Sequence, residues 1–490
     1  MMKLISKAEQ SISFWFLLVT SFFFFLLRLP SLFEPYWYGD EGIYQVLGHA
    51  VRNGRLLYAE IWDNKPPLLY LIYAFFDSDQ FVIRLVSLVF GVLSVIAFHA
   101  LARELFKEKF KISLWTTGLF AVLFGLPLLE GNIANSENFM LLPLILAGLI
   151  LVKSQRHRLL VGLLVSLAFL IKIVGIFDFA AFFLFLLVVS APHSLRITNL
   201  WEVRKFLVQE IKNLSPFLVG FTLPILATTL YFLFRGAISD FVQASFLQNV
   251  GYVGYGNKFI IPQGLLLLKL FILFGSALFI FIKRANFSRT FIFISLWFAF
   301  SLFNAFFSGR PYIHYLLALL PSFCLFIGLI AYEQKLRKFT LLIFLISFVL
   351  ILKNFWFYGK TPFYYQNFIS FVTGNKSVTN YRAFFDRSTP RDYQLVQFIK
   401  MHTDKDDNIF IWGNNAQVYA LSDKLPPGRY AVTYHITGYK DGTENTERGI
   451  ANNKPKFIIV MPNVPPLQIQ LMEYREVNNI GGVKIYERIL

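Results

Sequence analysis

Two short polar motifs near the start of the chain carry residue types that could do chemistry together. Asp40 and Glu41 stand side by side, and Lys65 follows within the run DNKPPL. A carboxylate can take a proton from a hydroxyl or an amine, and an ammonium can neutralise a departing phosphate. A reaction that transfers a group away from a phosphate ester needs both a base and a positive charge. The two motifs supply them.

An amphipathic helix must position the two acids. Apolar residues recur behind the acidic pair at helical spacing, and they are Ile43, Val46, Leu47, Ala50 and Val51. Gly54 ends this pattern, and we expect the helix to lie along the bilayer surface. Neighbouring side chains on a helix point about 100° apart, so Asp40 and Glu41 cannot face the same atom. The alternative interpretation is that both acids only cap the helix and suit its dipole.

The composition is that of an integral membrane protein. Of the 490 residues, 56% are hydrophobic and 15% are charged, which leaves little polar sequence between the long apolar runs. The pattern predicts a polytopic α-helical membrane protein of about eleven transmembrane helices. They are expected near residues 13–29, 82–102, 112–129, 138–152, 158–171, 173–191, 211–234, 264–282, 290–307, 312–331 and 339–357.

The formal net charge is +17, but the basic residues are distributed as in a membrane protein. The charge therefore does not indicate a nucleic-acid partner. Lysine and arginine cluster after alternate spans, which the positive-inside rule assigns to the cytoplasm. The loop with Asp40 is then outside, and an odd number of spans puts residues 358–490 outside too. We therefore predict a multi-pass protein of the cytoplasmic membrane that contacts membrane lipids.

Past Lys360 the sequence changes to that of a soluble segment. Helix-like stretches alternate there with four strand-like ones, which predicts a small α/β domain. The predicted strands are 408–412, 430–433, 456–460 and 483–489, and the predicted helices lie near 391–402, 414–421 and 445–453. The domain prediction is a transmembrane domain at 1–357 and an extracytoplasmic α/β domain at 358–490.

The loop motifs resemble those of the GT-C glycosyltransferases. They are similar in particular to the branch of the dolichyl-phosphate-mannose-protein mannosyltransferases and the lipid A aminoarabinose transferases, where D-E-x-x-Y precedes a helix and then D-K-P-P-L. Here the motif is Asp40, Glu41 and Tyr44, followed by DNKPPL with an inserted Asn64. The resemblance implies a GT-C fold and a polyprenyl-phosphate sugar donor. It also implies that the first acid, Asp40, is the catalytic base, with Glu41 in a supporting role in capping or loop order.

The resemblance further implies a group of residues at the donor phosphate. Lys65 belongs to it, and the run SGRPYIHYLLALLP at 308–321 adds Arg310, with His314 and Tyr315 one turn further along. An arginine can pair bidentately with a phosphate. The alternatives are an interfacial lysine that meets lipid head groups and an aromatic belt with a snorkelling arginine.

A second acidic site is predicted at Glu137, just before the fourth span. The family usually has Asp at this place, and capping by Asn135 or Ser136 explains the sequence equally well. Lys172, between two apolar runs, could add positive charge on the outer side. A divalent metal could bridge Asp40, Glu137 and the donor phosphate, as in some GT-C members, but no His/Cys ligand cluster is evident and the metal stays open.

Aromatic and glycine residues occur together in a long external loop between the seventh and eighth spans. Tyr252 and Tyr255 are candidates for a substrate lid, because aromatic faces stack on sugars. They would serve equally well as interfacial anchors.

The predicted function is that of an inverting glycosyltransferase. It would move a sugar from a polyprenyl-phosphate carrier to a lipid, glycan or protein acceptor on the outer face of the membrane. The alternatives are a transporter and a non-catalytic protein of polysaccharide or lipid-linked glycan assembly. No internal repeat of the kind found in many transporters is evident, and an assembly protein has no reason to carry Asp40 together with Lys65.

Overall fold

The computed structural model describes residues 2–192, 195, 200–249, 265–310, 312–467, 469 and 471–489. Helices dominate, and those of the N-terminal half are α1 (Met2–Arg28), α2 (Gly39–Arg52), α3 (Pro67–Phe75), α4 (Gln80–Leu105), α5 (Phe110–Gly125), α6 (Ser136–Lys153), α7 (Arg158–Ile171), α8 (Ile176–Ser190), α9 (Leu200–Phe234) and α10 (Ile238–Val242). The later ones are α11 (Leu266–Ile282), α12 (Arg289–Phe307), α13 (Tyr315–Tyr332), α14 (Arg337–Asn354), α15 (Thr361–Val372), α16 (Val378–Phe385), α17 (Thr389–His402), α18 (Gln417–Ser422), α19 (Thr433–Gly438) and α20 (Gly442–Asn453).

Every predicted span coincides with a helix, which confirms a polytopic α-helical membrane protein. Seven of the helices in the described part of the chain are long and apolar enough to cross a bilayer, and α5, α7 and α11 are shorter apolar helices. The short apolar run after the KPP motif forms α3, whose nine residues are too few for a span.

The chain divides into two compact units that do not follow chain order. The first, here called the membrane unit, comprises Met1–Leu29, Ser87–Tyr231 and Leu247–Thr361. The second, here called the sheet unit, comprises Pro30–Val86, Phe232–Phe246 and Pro362–Leu490. The loop with Asp40 thus belongs to the same unit as the C-terminal segment, residues 362–490. The predicted boundary at 357/358 separates a transmembrane from an extracytoplasmic domain, and it stays a prediction.

Close backbone approach and aromatic packing hold the membrane unit together. Gly162 of α7 and Gly220 of α9 face each other so closely that a Cβ on either would lie within 2.2 Å of a backbone oxygen of the other helix. Small residues of this kind let apolar helices pack in a membrane, where burial from water cannot drive their association. Between α12 and α13, the rings of Phe298 and Phe326 stack with centroids 4.3 Å apart.

The sheet unit contains a four-stranded sheet in the order β1-β2-β4-β3. Its strands are β1 (Ile409–Trp412), β2 (Phe457–Val460), β3 (Tyr474–Ile480) and β4 (Val483–Arg488). β1 and β2 run parallel, Ile409 opposite Phe457, while β4 lies antiparallel to both β2 and β3. All four β1 residues are buried, as expected for a strand covered on both faces.

One strand prediction in the C-terminal segment is wrong, and one strand was not predicted. Residues 430–433 form no strand: Val432 is extended, but the Thr433 amide donates to the Gly413 carbonyl outside any ladder, and α19 begins at once. β3 was not predicted because its middle residues are exposed and polar, without apolar alternation. The Gly481–Gly482 pair, both at positive φ, was the available signal, since such a pair closes a tight hairpin between β3 and β4.

Helix α2 differs from its predicted place along the bilayer surface. Most of its residues are buried within the sheet unit, from Glu41 to Gly48. At Gly42 an added Cβ would lie 2.8 Å from the backbone nitrogen of Gln417, at the start of α18. The apolar face of α2 is therefore covered by protein, and the C-terminal segment supports the helix that carries Asp40.

The alternating basic loops lead to a test of topology. We expect a reporter fused after Lys360 to be active only outside the cytoplasm, because the positive-inside rule places 361–490 there. A fusion after Lys153, in a predicted cytoplasmic loop, is the matched control and should report the opposite side. A cytoplasmic signal from the first fusion would mean that the number of spans is even.

Candidate functional site

Asp40 lies in the first turn of α2, where its carboxylate is accessible. The N-cap residue is Tyr38, and it makes no side-chain capping hydrogen bond. The Tyr44 hydroxyl, one turn along, donates to Asp40 Oδ2 at 3.2 Å, and the Asp40 side chain is 39% exposed. Asp40 is thus held in orientation by its own helix while it remains open to a substrate.

Glu41 points away from solvent into a buried ionic cluster. Arg84 Nε and Nη2 donate to its two carboxylate oxygens at 2.9 and 2.5 Å, a bidentate pair. Arg84 Nη1 also lies 3.4 Å from Glu34, and all three side chains are at most 3% exposed. A buried carboxylate that is paired with an arginine cannot approach an acceptor. Asp40 is therefore the stronger candidate for the base.

Glu41→Gln should therefore act on stability. Breaking a buried ion pair by removing one charge typically costs about 3 to 5 kcal/mol. We expect a clearly lowered unfolding midpoint in detergent, with the remaining folded protein close to wild-type turnover. Asp40→Asn, at the adjacent and exposed position, is the control and should leave the midpoint nearly unchanged. Normal stability of Glu41→Gln together with lost turnover would contradict the supporting role.

Lys65 is fixed at both its backbone and its ammonium. The Tyr58 hydroxyl donates to the Lys65 carbonyl at 2.7 Å, and the Lys65 amide donates to the Tyr70 hydroxyl at 3.1 Å. The ammonium lies 3.5 Å from Asp63, 4.0 Å from Asp40 and 4.9 Å from the centre of the Tyr44 ring. Pro66 and Pro67 then start α3, which stiffens the chain beyond the lysine. The structure thus brings Asp40 and Lys65 together.

The carboxylate beside Lys65 belongs to Asp63, the first residue of the DNKPPL motif. Its side chain is buried, and the Tyr70 hydroxyl donates to it at 2.7 Å. Burial alone would raise the pKa of the Asp63 carboxyl, but the neighbouring Lys65 charge and the Tyr70 hydrogen bond outweigh burial and lower that pKa. Asp63 is therefore ionised at neutral pH, and it holds the Lys65 ammonium.

The membrane unit holds a second polar cluster at the start of α6. Glu137 is buried in the first turn of α6. Its carboxylate accepts a hydrogen bond from the Ser136 hydroxyl at 2.8 Å and forms an ion pair with Lys172. The Lys172 ammonium also lies 4.6 Å from the centre of the Tyr315 ring. Asn135 makes no side-chain capping bond, so capping by Asn135 does not account for the site. The structure thus brings Glu137, Lys172 and Tyr315 together.

His314 and Arg310 precede α13 in the same unit. His314 Nδ1 lies 3.0 Å from Glu130 Oε2, and the Glu130 backbone has φ near 57°, an unusual conformation for a residue with a side chain. Arg310 is partly exposed, and its amide donates to the Ser308 hydroxyl at 3.2 Å. Tyr252 and Tyr255, the predicted lid, lie outside the described residues.

The residues offer a poor fit to a protein-bound metal. In the described ranges, no three His, Cys, Asp or Glu side chains are grouped so that they could hold an ion. The two carboxylates expected to contribute already have cationic partners, Lys65 beside Asp40 and Lys172 beside Glu137.

With the geometry in place, comparison with known proteins identifies the class of protein. The family model described as dolichyl-phosphate-mannose-protein mannosyltransferase matches residues 64–205. The structure is similar to that of ArnT from Cupriavidus metallidurans bound to undecaprenyl phosphate, with a TM-score of 0.51, 12% identity, and coverage of 97% of this chain and 98% of that one. The fold and the spans define a polytopic membrane protein of the GT-C fold.

The sequence match bears on the branch. It confirms the predicted resemblance to the protein mannosyltransferases over the part of the chain that it covers. The oligosaccharyltransferase AglB from Archaeoglobus fulgidus, in complex with an inhibitory peptide and a dolichol-phosphate, is also similar, at a TM-score of 0.47 and 11% identity over 91% of this chain and 69% of that one. No curated protein matches the sequence.

Proposed function

We propose that this protein is a glycosyltransferase that takes its sugar from a polyprenyl-phosphate carrier and transfers it to a hydroxyl or amine acceptor. The observation that carries the proposal is the pairing of the accessible Asp40 carboxylate with the Lys65 ammonium, 4.0 Å away, on a chain of the GT-C fold. The pair supplies a base for an acceptor and a positive charge for a phosphate, which are the two needs of this reaction.

In the proposed reaction Asp40 takes the proton of the acceptor as the acceptor attacks the anomeric carbon. The new bond forms to that carbon while its bond to the phosphate oxygen breaks, and polyprenyl phosphate leaves with the bonding electrons. Attack from the face opposite the phosphate inverts the anomeric centre. The departing phosphate is a stabilised anion, so no strong general acid is needed.

Lys65 is proposed to bind the phosphate as the leaving anion develops. An ammonium is a compact point charge that tolerates more than one phosphate geometry, and the contacts of Tyr58 and Tyr70 fix the backbone that carries it. Asp63 would keep the ammonium charged and in place. A charge positioned before the reaction costs no reorganisation when the anion forms.

Lys172, Arg310, His314 and Tyr315 are proposed as further donor-binding residues. Lys172 and Tyr315 contact each other, and Glu137 holds the Lys172 ammonium. An ammonium with a carboxylate on one side could still donate to a phosphate with its other protons. ArnT, similar in fold, binds undecaprenyl phosphate, which is the class of ligand proposed here.

The side of the membrane is part of the proposal. The basic loops favour an external position for Asp40 and for residues 361–490, where nucleotide sugars are normally absent. A lipid carrier is the donor class that fits such a site. The proposal names the donor class and leaves the sugar open. The acceptor class is lipid, glycan or protein.

The test uses the full chain, purified and reconstituted in vesicles. It is supplied with a panel of polyprenyl-phosphate sugars and with lipid, glycan and peptide acceptors, with and without chelator. We expect acceptor-dependent release of polyprenyl phosphate from at least one donor, and the comparison with chelator shows whether that release needs a divalent metal. Uptake of the lipid or sugar without transfer would instead favour a transporter, and binding without transfer would favour a non-catalytic assembly protein.

A further inference from the structure

The C-terminal segment places a buried histidine against the loop that carries Lys65. His435, in α19, is 4% exposed, and its Nε2 lies 3.6 Å from Asp63 Oδ1. The other oxygen of Asp63 faces Tyr70 at 2.7 Å and Lys65 at 3.5 Å. The Asp63 carboxylate thus stands between a residue of the C-terminal segment and the lysine proposed to bind phosphate.

The protonation state of His435 follows from its surroundings. Burial lowers the pKa of His435 to about 4, so the imidazole is neutral at physiological pH and carries one proton. If that proton were on Nδ1, the bare Nε2 would face the Asp63 carboxylate, acceptor against acceptor. The arrangement favours the tautomer with the proton on Nε2, directed at Asp63. Nδ1 is then left as a buried atom with no hydrogen-bond partner among the described residues.

The residues around His435 hold the whole segment against the same loop. The Trp62 amide donates to the Arg429 carbonyl at 2.9 Å, and the Arg429 guanidinium lies 4.3 Å from the centre of the Trp62 ring. Arg429 is itself fixed by Asp240 at 2.6 Å, and Tyr439 stacks on His435 with centroids 5.4 Å apart. The segment therefore contacts the loop at two successive residues, Trp62 and Asp63.

We propose that His435 is a positioning residue: it orients the Asp63 carboxylate, which in turn holds the Lys65 ammonium for the donor phosphate. The inference rests on the proposed function for the role of Lys65, and it gives the C-terminal segment a part in that site. His435 itself touches no substrate. It acts through Asp63, and of these three residues only Lys65 meets the phosphate.

Two substitutions of similar size separate positioning from packing. His435→Gln keeps an N–H that can reach Asp63, while His435→Leu fills the space without a donor. If His435 positions Asp63, the Gln variant should stay within about threefold of wild type in kcat/KM for the donor, and the Leu variant should fall by about tenfold or more, because the buried carboxylate then loses the polar group that faces it. A packing role predicts the reverse order, because Leu suits a buried apolar site and an amide does not.

A double-mutant cycle tests the contact without any substrate. The unfolding midpoints of His435→Leu, Asp63→Asn and the double variant should be non-additive, since both residues act in one network. Additive midpoints, or a Leu variant as active as the Gln variant, would overturn the inference. Failure of the wild type to transfer sugar from any donor would refute the proposed function separately, and the cycle would still decide whether His435 and Asp63 are coupled.

Discussion

Asp40→Asn should lower turnover by about 10²-fold or more while donor binding changes little. The substitution keeps the size of the side chain and most of its hydrogen bonding, including acceptance from Tyr44, but it removes the basicity. A group that acts only as the acceptor's base contributes to the chemical step and not to ground-state binding of the donor. Turnover and donor affinity, measured on the same reconstituted samples, check this result.

Asp77→Asn is the matched control for this substitution. Asp77 is another exposed carboxylate of the same unit, and it pairs with Arg52 at the end of α2. Its left-handed backbone is one that Asn also adopts readily, so the fold should tolerate the change. Equal effects of the two substitutions, or turnover near wild type in Asp40→Asn, would remove Asp40 from the role of base.

Lys65→Ala should weaken use of the donor by a comparable factor, about 10² in kcat/KM. The substitution removes positive charge where the leaving phosphate develops its negative charge, and contacts of this kind are typically worth 10²-fold or more. The backbone contacts of residue 65 with Tyr58 and Tyr70 do not involve the ammonium, but the buried Asp63 carboxylate loses its cation, so we expect a lowered unfolding midpoint and compare rates per folded protein. The donor-concentration dependence of the rate measures the effect.

The same experiment separates phosphate binding from anchoring at a lipid surface. Arg52→Ala removes a half-exposed cation from the end of α2, in the same unit, and is the control. If Lys65 were an interfacial anchor, both variants would show small losses of stability with unchanged donor kinetics. A donor dependence in Lys65→Ala that matches the Arg52→Ala control would contradict the phosphate role. Whether Arg310 meets the same phosphate stays a prediction.

Local patterns account for what the sequence predicted well. The spans, α2 and three of the four strands arise from apolar periodicity and from proline or glycine at their ends, which are properties of neighbouring residues. Asp40 and Lys65 were found in the same way, because a short motif carries both. β3 was missed because an exposed edge strand has no apolar alternation to reveal it.

Partners that are distant in sequence could not be predicted. Nothing near Glu41 indicates that Arg84 will neutralise it, and nothing near Asp63 indicates His435, since these contacts exist only once the chain has folded. The buried face of α2 was misassigned for the same reason. An amphipathic helix has an apolar side in either case, and only tertiary structure decides whether lipid or protein covers it.

The most direct test of the account is a single turnover on donor that is already bound. Wild-type protein and Asp40→Asn are each loaded with a polyprenyl-phosphate sugar in vesicles, acceptor is added, and free polyprenyl phosphate is followed by mass spectrometry together with the glycosylated product. The account predicts that wild type forms both in equal amounts, and that Asp40→Asn holds the donor but forms them at least about 10²-fold more slowly. Wild type that binds the donor without forming either product, or an Asp40→Asn rate equal to wild type, would contradict it.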